Sequence, residues 1–267
     1  MSPDLAFWLA LVLKMAVTAG FVILASMIAE KSGPAVGAMI ATLPIAAAPS
    51  YVFLALDHDT AFIARSALGS LSANAVTGIF ALVYVVLAQR RSLAVSLPAA
   101  LAVWFTLAFT LSKVGWTIVT VVAFNLAVFA ICIPLVMRYC HVAMPRMTRR
   151  WYDMPLRASM VACLVAIVVG TSTKVGPSVT GLLAVFPIVL TSLILIFHAR
   201  IGGQATAALL ANTMWGLAGF SMALVVLHLA ALVFGTWTAY ALSLATSIVW
   251  NFAVWSVRRR IAINANR

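Results

Sequence analysis

The chain has 267 residues, 65% of them hydrophobic and 8% charged, with a mean hydropathy of +1.14, whereas soluble domains carry roughly a quarter of their residues as charges. That balance excludes a soluble globular protein and predicts an all-α polytopic membrane helical bundle. The formal net charge of +12 would suggest nucleic acid in a soluble chain, but here the cations sit at the ends of apolar runs, where they set topology.

Those runs follow one another with short polar breaks, each long enough to cross ~30 Å of hydrocarbon at ~1.5 Å per residue. They are continuous, not the alternating ten-residue segments of a β-barrel. The first spans 5–29. Its leading residues Ser2, Pro3 and Asp4 are not the basic start of a secretory signal, and no small-x-small cleavage site follows, so an uncleaved helix is expected. Lys14 lies well inside this run. It is either a midmembrane cation, which would suit an anionic solute, or an interfacial residue that snorkels.

The second run, 35–56, opens at Gly33-Pro34, and proline suits a first helical turn because its missing N–H would be unpaired there anyway. Pro44 follows ten residues later, about 15 Å along a helix and near the midplane. It removes the bond to the carbonyl of Ile40, which predicts either a packing kink or a broken helix whose backbone faces a solute. Such a break is tolerated only where protein or water satisfies the carbonyl. Thr42 and Ser50 are the neighbours able to hydrogen-bond.

The third run, 61–88, carries Asn74. A primary amide facing lipid is costly, so Asn74 is expected to face protein, either as interhelical glue beside Gly78 or as a ligand contact. Runs at 94–112 and 115–137 follow, the latter with Asn125, and then the basic loop RYCHVAMPRMTRRWYDMP. The sixth run is 157–173. The seventh, 177–198, repeats the features of the second: Gly176-Pro177 at its start, Pro187 in its middle freeing the carbonyl of Leu183, and Thr191 and Ser192 as polar neighbours. The eighth, 204–231, carries Asn212, expected like Asn74 to face protein, beside Gly216, and the ninth, 235–256, carries Asn251.

The repetition extends further. KSGPAVGAMIATLPI at 31–45 matches KVGPSVTGLLAVFPI at 174–188 with a constant offset of 143 that also aligns Lys14 with Arg157. After a five-residue shortening, ANAVTG at 73–78 matches ANTMWG at 211–216. Five crossings separate the two Gly-Pro pairs, an odd number, so the copies enter the membrane in opposite directions, the plan of many secondary transporters. The chain therefore reads as a first repeat at 1–114, a linking helix and basic loop at 115–155, and a second repeat with a basic tail at 156–267. Each copy resembles the small bacterial GlpM-like membrane proteins in its early basic residue, Lys-containing break, small residue and central proline. These are Lys14, Lys31, Ala38 and Pro44 in one copy and Arg157, Lys174, Gly181 and Pro187 in the other. The resemblance covers about three helices of each half and implies an architecture, not a reaction. The fifth helix and the poorly matching last helix depart from it.

With the amino terminus outside, the inner breaks collect Lys31, Arg90, Arg91, Arg138, Arg146, Arg149, Arg150, Arg157, Arg200 and the tail arginines, and the outer ones mainly Arg65, Lys113 and Lys174. This is a positive-inside pattern. It predicts a multi-pass protein of the bacterial inner membrane with a periplasmic amino terminus and a cytoplasmic carboxyl terminus.

The acidic residues Asp4, Glu30, Asp57, Asp59 and Asp153 fall near helix ends, which disfavours proton antiport by a midmembrane acid. No paired carboxylates, triad, P-loop or HExxH is present, and the four histidines and Cys132, Cys140 and Cys163 have no metal-like or disulfide spacing. The expectation is a non-enzymatic transporter or exporter of a small polar or anionic solute, without cofactor or metal. Its candidate site is Thr42, Pro44, Ser50, Asn74, Pro187, Thr191, Ser192, Asn212 and Lys14. The partners are the bilayer and the solute, with no nucleic acid and with a homodimer left open. The alternative is a membrane scaffold or assembly subunit in which prolines and asparagines only shape packing.

Overall fold

The computed structural model of the chain describes residues 3–31, 47–140, 142 and 150–265. Among them it is all helical, with α1 (Pro3–Lys31), α2 (Ala47–Asp57), α3 (Thr60–Leu87), α4 (Leu93–Leu111), α5 (Ile118–Met137), α6 (Asp153–Ala184), α7 (Ile188–Phe234) and α8 (Thr236–Ala265). Seven of these are long and apolar enough to cross a membrane. The difference from the nine expected segments has two sources. Most of the expected second segment lies outside the described residues, leaving the 11 residues of α2, about 16 Å of helix. The expected seventh segment is not one helix: its first part closes α6 and its second part opens α7.

Glycine makes the joints. Gly176 (φ 76, ψ 172) breaks α6 just before Pro177, and Gly202 (φ 83, ψ 168) breaks α7. Both conformations lie in the left-handed region that disfavours any residue with a Cβ. Gly176-Pro177 thus starts a helical stretch as expected, and Thr180 steadies its first turn by donating to the Gly176 carbonyl at 2.7 Å. The stretches 177–184 and 188–201 are about 12 and 21 Å long.

The core is built around α3, whose face from Ile63 to Val85 is almost entirely buried. The second stretch of α7 packs antiparallel to it. His228 Nδ1–H donates to the Ala64 carbonyl at 2.8 Å, Asn74 bonds Leu217 and Ser221, and the Gln204 amide reaches the Gln89 carbonyl. In the same way α1 runs antiparallel to α6, with Leu11 beside Gly170 and Val22 packed with Ala158 and Val161. The hairpin of α3 and α4 is tied by Trp104, whose indole donates to Thr77 Oγ1 at 3.2 Å. The hairpin of α7 and α8 is tied by Trp250, whose indole donates to the Trp215 carbonyl at 2.8 Å. Thr77 and Trp215 are the same position of the two ANxxxG motifs.

Helix ends are capped by local chemistry. Asp59 accepts from the Phe62 amide at 2.8 Å to start α3, and Thr117 and Thr120 form a capping box on α5. All three acids whose side chains are described, Asp57, Asp59 and Asp153, sit at such ends.

Candidate functional site: a broken helix against the polar face of α3

Between α6 and α7 the chain breaks for three residues, Val185, Phe186 and Pro187, and Pro187 itself is non-helical (φ −74, ψ 48) and buried. The helix is interrupted at this proline and not merely kinked. Helix ends leave four carbonyls and four amides without intrahelical partners, and their partners here are specific. The Leu183 carbonyl, expected to be freed by Pro187, accepts from the Phe186 amide at 3.0 Å. A tightened last turn re-satisfies it. The carbonyl that takes an outside partner is Gly181, which accepts from Ser70 Oγ at 2.6 Å.

That bond belongs to a longer chain. Ser70 has one hydroxyl proton and gives it to Gly181, so the Tyr51 hydroxyl, 2.6 Å away, donates to Ser70. The Tyr240 hydroxyl in turn donates to the Tyr51 carbonyl. One relay thus links α8, α2, α3 and the end of α6. It is possible because α3 and the stretch 177–184 touch backbone to backbone. A Cβ on Gly181 would lie 1.8 Å from the Ser66 carbonyl oxygen, and one on Gly69 would lie 2.1 Å from that of Ser178. Phe186 packs edge-on against Trp104, with centroids 4.9 Å apart, fixing the break against α4.

Four residues further along α3, a second network closes on itself. Asn74 Nδ2 donates to the Leu217 carbonyl and to Ser221 Oγ, both at 2.8 Å. Ser221 donates to Asn125 Oδ1 at 2.9 Å, and Asn125 Nδ2 donates to the carbonyls of Leu71 and Val121 at 2.9 Å. The loop leaves α3, passes through α7 and α5 and returns to α3. Asn74 and Asn125 are both buried, as their cost in lipid requires.

Several buried polar atoms have no protein partner: Ser50 Oγ, Ser66 Oγ, Asn74 Oδ1 and Thr191 Oγ1. A buried polar group left unmade costs about 1–3 kcal/mol, so atoms of this kind mark places where a solute or water completes the bonding. Ser66, Ser70 and Asn74 recur at i, i+4 and i+8 and therefore share a face of α3. Ser50 adjoins Tyr51 of the relay, and Thr191 lies one turn past the break, its amide bonded to the Pro187 carbonyl at 2.8 Å.

The other expected residues are distributed as follows. Ser192 is buried and returns its hydroxyl to the Val189 carbonyl at 2.7 Å. Thr42 and Pro44 lie outside the described residues. Asn212 is exposed, contrary to the expectation that it faces protein. Its amide donates to the Ala208 carbonyl of its own helix at 2.9 Å and to the Cys140 carbonyl at 3.5 Å, and its oxygen accepts from Arg258 at 3.3 Å. It lies near the end of the bundle, where an arginine can reach it, and its match to Asn74 is one of sequence motif only. Lys14 is not a free cation: its Nζ lies 2.6 Å from Oδ2 of Asp57, the last residue of α2. Comparison with protein-family models, with curated proteins and with solved structures finds no match.

Proposed function

We propose that this chain is a secondary transporter or exporter of a small polar solute in a bacterial inner membrane, with its binding site where the break at Val185–Pro187 meets the polar face of α3. The observation that carries this reading is the set of buried, unpartnered polar atoms on α2, α3 and α7 around a helix interrupted within its span. A membrane protein that only needed to pack would fill those positions with apolar side chains. The groups concerned, Ser50, Ser66, Asn74 and Thr191, are hydroxyls and an amide without formal charge, which favours an uncharged solute over an anionic one.

The transport reading also draws on a two-fold inverted plan of nine crossings, with the stretches 177–184 and 188–201 making one crossing and α2 completing another. Three features support it: the antiparallel course of α1 against α6, the antiparallel course of α3 against the second stretch of α7, and the paired indole bonds of Trp104 and Trp250. The face at which α3 ends carries Arg90, Arg91, Arg138, Arg150, Arg200 and Arg258 to Arg260, so it is taken as cytoplasmic, with the amino terminus periplasmic and the carboxyl terminus cytoplasmic.

A scaffold role is the second reading, favoured by the backbone contact at Gly69 and Gly181, which closes one side of the site. Counterflow in proteoliposomes separates the two. Vesicles holding the purified chain should exchange at least one member of a panel of uncharged polyols, amides and zwitterions, faster than they exchange carboxylates and phosphates of similar size. Absence of protein-dependent exchange across the panel would favour the scaffold.

A further inference from the structure

Two ion pairs stand apart from the candidate site, one at each face of the bundle. At the face where α3 begins, Lys14 of α1 holds Asp57, the last residue of α2, at 2.6 Å. At the face where α3 ends, Arg200 grips Asp153, the first residue of α6, with both arms of its guanidinium, one at 2.7 Å. Arg200 also lies over the Tyr152 ring, 5.2 Å from its centroid. The side chains are largely shielded, at 18% and 35% exposure in the first pair and 14% for each partner of the second.

Asp57 and Arg200 occupy the same position of the repeated sequence, 143 residues apart, with opposite charge. Each is tied to the first helix of its own copy, by Lys14 in α1 and by Asp153 in α6, one turn before the residue that aligns with Lys14. The contact is kept although its sign is reversed. A histidine accompanies each pair. His58 Nε2–H donates to Ser172 Oγ at 2.8 Å, since that hydroxyl's own proton goes to the Val169 carbonyl, and His198 Nδ1 bonds the Tyr84 hydroxyl at 2.7 Å. Each pair also lies next to a joint: α2 ends at Asp57 before α3 begins at Thr60, and Gly202 breaks α7 two residues beyond Arg200.

We infer that Lys14–Asp57 and Asp153–Arg200 are the two latches of alternating access, each closing the candidate site toward its own face by fastening a hinged helix end to the first helix of its copy. The inference rests on the transport reading. Opening one latch frees Asp57 or Arg200 to move about its joint while the other holds.

The test is the sidedness of the site. A chain with Cys132, Cys140 and Cys163 replaced by serine and a single reporter, Ser66→Cys, is labelled in sealed membranes with an impermeant maleimide from either face. Asp57→Asn should raise the labelling rate at least fivefold from the face where α3 begins and not from the other. Asp153→Asn should do the reverse. Exchanging the first pair, Lys14→Asp with Asp57→Lys, should return the rate to that of the parent. Arg200→Lys, which keeps the charge but loses the two-armed grip, should act as Asp153→Asn does with smaller amplitude, and serves if that variant folds poorly. Faster labelling from the same face in both variants, or from neither, overturns the latches, as does an exchange that fails to restore the parent rate. Counterflow by the chain without the reporter is measured alongside. Side-switching without flux would leave the latches and remove the transport reading; flux without side-switching would do the opposite.

Discussion

Gly181→Ala is expected to lower the stability and the extracted yield of the folded protein sharply. The added Cβ would meet the Ser66 carbonyl oxygen at 1.8 Å and its carbon at 2.6 Å, and both are backbone atoms with no rotamer to yield. Relief requires α3 and the stretch 177–184 to move apart, which also lengthens the bond from Ser70 to the Gly181 carbonyl. Overpacking a core ordinarily costs about 1–3 kcal/mol, and with a polar bond lost as well the change falls at or above the top of that range. Set against total stabilities of about 5–15 kcal/mol, it should appear as a sharp drop in monodisperse protein after detergent extraction. Gly20→Ala is the matched control, because nothing lies within 4 Å of its Cβ position and alanine favours a helix by up to about 1 kcal/mol. Equal thermal melting of both variants would mean that the close crossing does not exist in the membrane.

The second large effect is on flux. Ser66→Ala and Thr191→Val each remove a buried hydroxyl that has no protein partner. In a protein that only packs, removing such a group relieves an unmet desolvation cost of about 1–3 kcal/mol, so melting temperature should hold or rise. In a transporter the same hydroxyls complete their bonding with the solute. Losing one such bond then weakens binding by about tenfold for each 1.4 kcal/mol. Both outcomes are expected together: melting unchanged or higher, and exchange at subsaturating solute down at least tenfold. Lower melting with proportionally lower exchange would return both residues to a structural role.

Much of the architecture was legible because lipid imposes strict rules on a sequence. Apolar length located α1, α3, α4 and α5 to within a few residues, and Gly176-Pro177 and Pro187 announced a start and an interruption that both exist. Three things escaped. Asn212 shares a motif with Asn74 but not its burial, since a local match carries no information about which face of a helix meets a neighbour. The polar face of α3 is hidden because serines in an apolar run read as small residues; the spacing of Ser66 and Ser70 ahead of Asn74 is the available signal. The ion pairs required knowing that residues 43 and 47 positions apart would meet, which only tertiary packing decides.

Site-directed reporters placed after Lys31 and after Lys174 test the opposed insertion of the two copies most directly. Those residues align in the repeated phrase, so a periplasmic readout at 174 and a cytoplasmic readout at 31 are expected, with matching activity from alkaline phosphatase and green fluorescent protein fusions. Both junctions reporting from the same compartment would contradict a site built between oppositely inserted halves.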